Sequence, residues 1–365
     1  MSGAWDRSEP TPISLAGGGR TKAMHLGILT GGGDCPGLNA VIRAVVRRAG
    51  KLGHSVLGIK QGWAGLVEGD ASPLTDYSVS GILPKGGTIL GTSRTNPFKS
   101  DESIQRLEEN WRKFGLDGII AVGGDDTLGV AAKLTDRGFG VVGVPKTIDN
   151  DIGGTEATFG FDTACQIVCE AIDRLHTTAE AHHRAMVVEV MGRHAGWIAT
   201  VGGLAGGADC ILIPERPFDM EEVCDILLRR KERGRSFSIV VVAEGVKPRE
   251  GSEFVTQDSR VDEFGHVRLG GISNVIASEI ERRTGIETRV TILGHIQRGG
   301  TPTAFDRVLA TRFGLKAVEL AEEGKWGMMA ALQCGQIVPV PLVEALREKK
   351  QVDPAFFASA EVFFG

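Results

Sequence analysis

The chain has 365 residues, 42% apolar and 24% charged, a balance that excludes disorder as its dominant state and suits two domains of ordinary size. Its formal net charge of −5, from 41 basic and 46 acidic residues, argues against wholesale binding to nucleic acid or a membrane surface. Glycine stands apart at 51 residues, about twice the usual share, and without the Gly-X-Y period of collagen.

Residues 1–23 lack the apolar core of a signal peptide and read as a flexible polar extension. In chain order, short apolar runs between glycine-rich turns then predict strands over His25–Thr30, Ser55–Ile59, Gly118–Val122, Gly140–Val144, Ala185–Val190, Ile211–Ile213, Ser238–Val242 and Val290–Leu293. Several of them (IIAV, VVGV, MVVEV, IVVV) are almost wholly apolar, as strands covered on both faces are. The segments between have helical period. After Asn39, for example, Ala40, Val41, Val45 and Ala49 form an apolar stripe with Arg43, Arg47 and Arg48 turned elsewhere. The alternation predicts an α/β protein with parallel sheets covered by helices, which bind ligands at the carboxyl ends of their strands. The polar stretch Lys247–Val267 reads as a surface loop or hairpin, and the pairs Phe356–Phe357 and Phe363–Phe364 read as packing against the body or a neighbouring subunit. Six scattered cysteines, with no CxxC and no histidine pair at zinc spacing, read as buried, reduced thiols in a cytosolic protein. No apolar run approaches the roughly 18 residues of a membrane span, so the cytoplasm is the expected compartment.

Three strand ends carry chemistry. The first strand runs into Gly31-Gly32-Gly33-Asp34-Cys35-Pro36-Gly37 and a helix, where glycines let the backbone approach a phosphate and the helix N-terminus supplies donors. It has no Walker GK[ST], and taken alone it reads equally well as a tight structural turn. Gly123-Gly124-Asp125-Asp126-Thr127 closes the IIAV strand and suits a phosphate with a carboxylate-held cation, or simply a helix cap. The third loop, Lys146-Thr147-Ile148-Asp149-Asn150-Asp151, sets two carboxylates beside a lysine and a threonine, the makings of a general base near a hydroxyl nucleophile. Further on, Arg193, Arg289, His295 and Arg298 lie next to glycines or strand ends and favour an anionic sugar or nucleotide.

GGGDCPGLNAVIR, GGDDT, PKTIDNDI, FGFDTA, MGRHAGWIA, ILIPE, VAEG and LGHIQRGG occur in the order and spacing of the phosphofructokinase family, which the chain resembles from Met24 to about Gly324. The resemblance implies two doubly wound domains with mainly parallel sheets and an active site in the cleft between them. It implies a donor domain from residues 24–160 plus about 297–346, and a sugar-phosphate domain from 161–296 plus about 347–365. The implied reaction is Mg2+-dependent phosphoryl transfer to the 1-hydroxyl of fructose 6-phosphate, in a homodimer or homotetramer with shared sites.

Carried over by motif, Asp149 resembles the base, Asp151 the second acid, Thr147 a hydroxyl contact and Asp125 the magnesium carboxylate. Arg193 resembles the cation on the transferring phosphoryl group, and Gly32, Gly124 and Arg94 resemble contacts to the donor. Met191, Gly192 and Glu244 resemble sugar contacts. Arg184, Arg289, His295 and Arg298 resemble the grip on the 6-phosphate, with Arg184 and Arg289 supplied by a neighbour. Asp126 and Lys146 stand where ATP-dependent bacterial members usually have glycine, and the pair resembles the pyrophosphate-dependent branch. A carboxylate there would repel a nucleotide's α-phosphate, and the lysine offers its charge to compact pyrophosphate. Three competing readings stay open: an ATP-dependent member, a kinase of the NAD or lipid type sharing the GGD loop, and a silent sugar-phosphate-binding subunit. Dimer or tetramer, effectors and a second sugar such as sedoheptulose 7-phosphate are likewise left open.

Overall fold

A computed structural model describes residues 22–249 and 271–365. All but the last two residues of the extension and the first three of the 247–267 stretch lie outside these. The described residues form eleven strands: β1 (His25–Thr30), β2 (Ser55–Ile59), β3 (Ala71–Leu74), β4 (Gly118–Gly123), β5 (Val141–Pro145), β6 (Ala185–Val190), β7 (Cys210–Leu212), β8 (Ser238–Ala243), β9 (Thr288–Ile292), β10 (Met328–Gln333) and β11 (Gln336–Pro341). Seven join in the order β11-β10-β5-β4-β1-β2-β3, and four in the order β7-β8-β6-β9. All pairings are parallel except the two edges, where β3 lies antiparallel to β2 and β11 to β10.

The expected α/β class with parallel sheets is what the chain forms. β4, β6 and β8 are buried at every position, because helices cover both faces and water reaches neither. On one face the helix Leu38–Lys51 packs against the helix Ala304–Glu322. Its stripe of Ala40, Val41, Val45 and Ala49 is fully buried, as the period requires. In the larger sheet, β2 lies on one side of β1 and β4 and β5 on the other, so connections leave in opposite directions between β1 and β4. Such a switch point opens a crevice at the carboxyl ends of the strands.

β3, β10 and β11 lie outside the expected strands. β3 contains Pro73 and β11 contains Pro339 and Pro341, and proline argues against a strand until one knows the strand is an edge that can spare a donor. β5, β7 and β9 also sit one or two residues from their expected bounds, and β4 and β8 run one residue further than expected. The cysteine expectation needs correction: Cys35, Cys165, Cys210 and Cys224 are buried, Cys169 is half-buried and Cys334 is exposed. Cys334 is in the turn joining β10 to β11, where its φ of 47° and that of Gly335 at 75° close a tight hairpin. Of the C-terminal aromatics, Phe356 stacks on Trp197 at 6.1 Å and Phe357 meets Phe364 edge-on at 6.2 Å, while Phe363 is exposed.

Candidate active site

The first two loops meet at the switch point. The Gly31 N–H donates to the Val122 carbonyl at 2.9 Å, and the Gly32 N–H to the Ser93 carbonyl at 3.0 Å, which ties the stretch carrying Arg94 to the first loop. Thr92 Oγ1 donates to the Gly32 carbonyl at 2.6 Å. Glycine is needed at 31 because a Cβ there would lie 2.5 Å from Thr127 Oγ1, and at 32 because its φ is +78°. Gly124 precedes the helix Asp125–Asp136, whose first turn holds both Asp125 and Asp126, the end where carboxylates are stabilised.

Beneath these loops the β5 end brings in Lys146. Its N–H donates to the Gly123 carbonyl at 2.9 Å, and its buried Nζ donates to the Gly33 carbonyl. Desolvation is the main reason its ammonium is held below the usual lysine range, with Arg298 adding repulsion. The next turn is secured locally: Thr147 Oγ1 accepts the Asp149 N–H at 3.1 Å. Asn150 takes a left-handed φ of 52°, which asparagine tolerates, and its Oδ1 accepts the Thr158 N–H at 3.1 Å. Asp149 Oδ1 is buried and has no hydrogen-bond partner among the described residues. Burial first, then the Asp151 charge, push the Asp149 carboxyl up to about 7, against the pull of Arg298.

Asp151 and Asp125 converge on one cation: the Lys349 Nζ donates to Asp151 Oδ2 at 2.9 Å and pairs with Asp125 Oδ2. Burial and the Asp151 charge raise Asp125, and Lys349 opposes the rise. Among the described residues no three or more His, Cys, Asp or Glu side chains gather at metal-ligand spacing, so the protein supplies no complete cage. Asp125 and Asp151 nevertheless offer hard oxygens around a space already held by one positive charge. Magnesium commonly uses one or two carboxylates and takes its other ligands from phosphate and water, so these two residues fit it.

The second sheet faces this cluster with the loops after β6, β8 and β9. The Glu244 N–H donates to the Val190 carbonyl at 2.8 Å and the Gly245 N–H to the Gly192 carbonyl at 3.1 Å, so Met191, Gly192, Arg193 and Glu244 form one unit. Burial raises the Glu244 carboxyl, and Arg193 and then Arg298 counter it. Arg298 reaches across to the first loop, with Nη1 3.4 Å from the Asp34 carbonyl, while His295 is exposed on the same 3₁₀ turn. Arg184 and Arg289 lie elsewhere. They stand at the amino ends of β6 and β9, both paired with Glu287 (Arg184 at 2.9 Å), and are not brought to these loops within one chain.

Sequence reasoning missed several supporting residues. Gln297 is fully buried and accepts the Met191 N–H at 3.2 Å, which fixes the β6 loop to the 3₁₀ turn. Lys349 and Lys350 come from a charged stretch that resembles solvated surface. Lys350 Nζ donates to Asn150 Oδ1 at 2.8 Å, and Lys350 is lowered to about 8, chiefly by burial. Glu215 ends the ILIPE motif, whose local sequence signals no role for it, yet it accepts the Gly196 N–H at 3.0 Å and the Val352 N–H at 3.0 Å. Only the distant partners, not the local spacing, carry these signals.

Glycine loops at a switch point, raised carboxyls and facing cations make the kind of cleft in which α/β proteins handle phosphate groups. The chain belongs to the phosphofructokinase family, whose profile, Phosphofructokinase, matches residues 25–321. It is 57% identical over 344 residues to a Streptomyces coelicolor protein named pyrophosphate–fructose 6-phosphate 1-phosphotransferase, across 94% of this chain and 100% of that protein. It is 52% identical over 342 residues to another S. coelicolor protein, ATP-dependent 6-phosphofructokinase 2, across 93% of this chain and 100% of that one. Phosphofructokinase from Saccharomyces cerevisiae superposes with a TM-score of 0.79 at 33% identity, over 89% of this chain and 45% of that longer chain.

Proposed function

We propose that the protein transfers a phosphoryl group from pyrophosphate to the 1-hydroxyl of fructose 6-phosphate, reversibly and with Mg2+, in the cytoplasm. The observation that carries this reading is the buried Lys146 ammonium beneath the first glycine loop. Its hydrogen bond goes to a neutral carbonyl, and among the described residues no carboxylate pairs with it directly, Asp34 and Asp149 acting on it only at longer range. A small, densely charged donor answers that need. Asp126, in the first turn beside Asp125, sets a carboxylate against a nucleotide's α-phosphate.

In the reaction, Asp149 accepts the proton of the sugar 1-hydroxyl as the new O–P bond forms and the bridging P–O bond of pyrophosphate breaks. Inorganic phosphate leaves. Asp149 suits the role because burial has raised it toward neutrality. Arg193 and Lys146 stabilise charge on the transferring group, and Thr147 contacts it, since this transition state is loose and rests on positioning. Asp125 and Asp151 would hold Mg2+, which neutralises phosphate charge when bound. Gly32, Gly124 and Arg94 contact the donor. Met191, Gly192 and Glu244 hold the sugar, and His295 and Arg298, with Arg184 and Arg289 of a second copy, grip the 6-phosphate. The larger sheet then belongs to a donor domain (24–160 and about 297–346) and the smaller to a sugar-phosphate domain (161–296 and about 347–365).

The 52% identity to a protein named ATP-dependent favours one other reading, the same transfer from ATP. A coupled assay separates them. With pyrophosphate, fructose 6-phosphate should give the bisphosphate, and the bisphosphate with inorganic phosphate should run the reaction backwards. Turnover with ATP and none with pyrophosphate would overturn the proposal.

A further inference from the structure

Lys349 has no part in the reading above, yet its ammonium lies between the two carboxylates proposed for Mg2+. This placement does not come from a loose tail. The backbone around it is pinned on both sides: the Lys350 N–H donates to the Asp151 carbonyl at 2.9 Å, Trp197 Nε1 to the Lys350 carbonyl at 2.9 Å, and the Val352 N–H to Glu215 at 3.0 Å. Lys350 Nζ adds contacts to the Thr155 and Glu156 carbonyls at 3.0 and 2.8 Å. The side chain of Lys349 is 39% exposed, against 33% for Asp125 and 10% for Asp151, so the ammonium can swing out to water while Asp151 stays in place.

We propose that Lys349 is a resident cation that holds the metal position between Asp125 and Asp151 until metal already bound to pyrophosphate displaces it. This rests on the metal reading of Asp125 and Asp151. Two like charges held this close repel each other, and Asp151 is nearly out of water, so the pair calls for a cation between them. Lys349 supplies that cation. Free metal must therefore break two charge-assisted contacts and gains only two protein oxygens. A metal carried by pyrophosphate arrives with further oxygens in place. The consequence is an order of loading: the enzyme takes metal and donor together and binds free metal poorly.

The test is a Mn2+ titration of the full-length enzyme without sugar, following the electron paramagnetic resonance signal of free Mn2+. Wild type should bind Mn2+ weakly alone and much more tightly with pyrophosphate. Lys349→Met should bind free Mn2+ roughly tenfold or more tightly, the worth of one charge-assisted contact. Lys349→Arg keeps the charge and should stay near wild type. Metal-free Lys349→Met should also melt below wild type and regain the difference with Mn2+, which reads the same event without turnover. Equal Mn2+ affinity in wild type and Lys349→Met, or equal tightening in Met and Arg variants, overturns the proposal. Asp125→Asn serves as the control: if it binds Mn2+ as wild type does, the metal reading fails together with the proposal. If it loses Mn2+ while Lys349→Met is unchanged, only the role of Lys349 falls.

Discussion

Asp149 has a buried carboxylate oxygen with no hydrogen-bond partner among the described residues, and it stands among other acids. Replacing it by asparagine keeps the shape and removes the proton acceptor, so kcat should fall by about 10²–10⁴ with sugar binding largely kept. Activity within a few-fold of wild type would contradict the assignment. The base works only without its proton, so wild-type kcat/KM should climb with pH to about 7 and level off, and this limb should vanish in Asp149→Asn. Stability should move the other way. A carboxyl raised from ~3.9 in the unfolded chain contributes fully below that pH and loses its contribution as pH rises toward about 7. Asp149→Asn should therefore melt higher than wild type at pH 8, and the gap should close near pH 4. The base was legible from sequence because its loop packs two acids, a lysine and a threonine behind an apolar strand. Lys349, 198 residues from Asp151, was not, since an ammonium that neutralises a distant pair looks locally like any surface lysine.

At the scale of elements, the segment after the β11 strand is the least expected part of the site. It runs from the larger sheet's side, where the Gly153 N–H donates to the Ala345 carbonyl at 3.1 Å, to the smaller sheet's side at Glu215. Glu215→Ala would leave the Gly196 and Val352 N–H groups without their carboxylate, a loss of about 1–3 kcal/mol if both stay dry. Amide exchange at Val352 should then quicken and melting should fall. Protection unchanged from wild type would show that the segment is held by other contacts. The buried parallel strands were legible because being covered on both faces forces a continuous apolar run. The edge strands β3 and β11 were not, because their prolines are acceptable only at an edge, and edge position is a property of the assembled sheet.

For the whole molecule, one chain keeps Arg184 and Arg289 at the opposite end of the smaller sheet from Met191 and Glu244, a strand length of ~20 Å away. If they grip the sugar phosphate, a second copy must bring them there. Between residues 292 and 308, Ile292, Ile296, Phe305 and Val308 are exposed, apolar surface that an oligomer would cover. Arg184→Ala should raise KM for fructose 6-phosphate far more than for the donor. Mixing Arg184→Ala with Asp149→Asn subunits should restore activity, because a hybrid can hold one intact site. Mixed oligomers with subunit exchange shown independently, yet still inactive, would contradict shared sites.

The donor tests the account most directly, because it depends on two side chains, Asp126 and Lys146, in a family whose members differ in this respect. The measurement is the ratio of kcat/KM for pyrophosphate to that for ATP, in wild type and in Asp126→Gly. Wild type should favour pyrophosphate with little or no use of ATP. Asp126→Gly should raise ATP use from its baseline and lower pyrophosphate use, moving the ratio toward ATP. A wild type that prefers ATP, or a ratio unmoved by Asp126→Gly, would contradict the account.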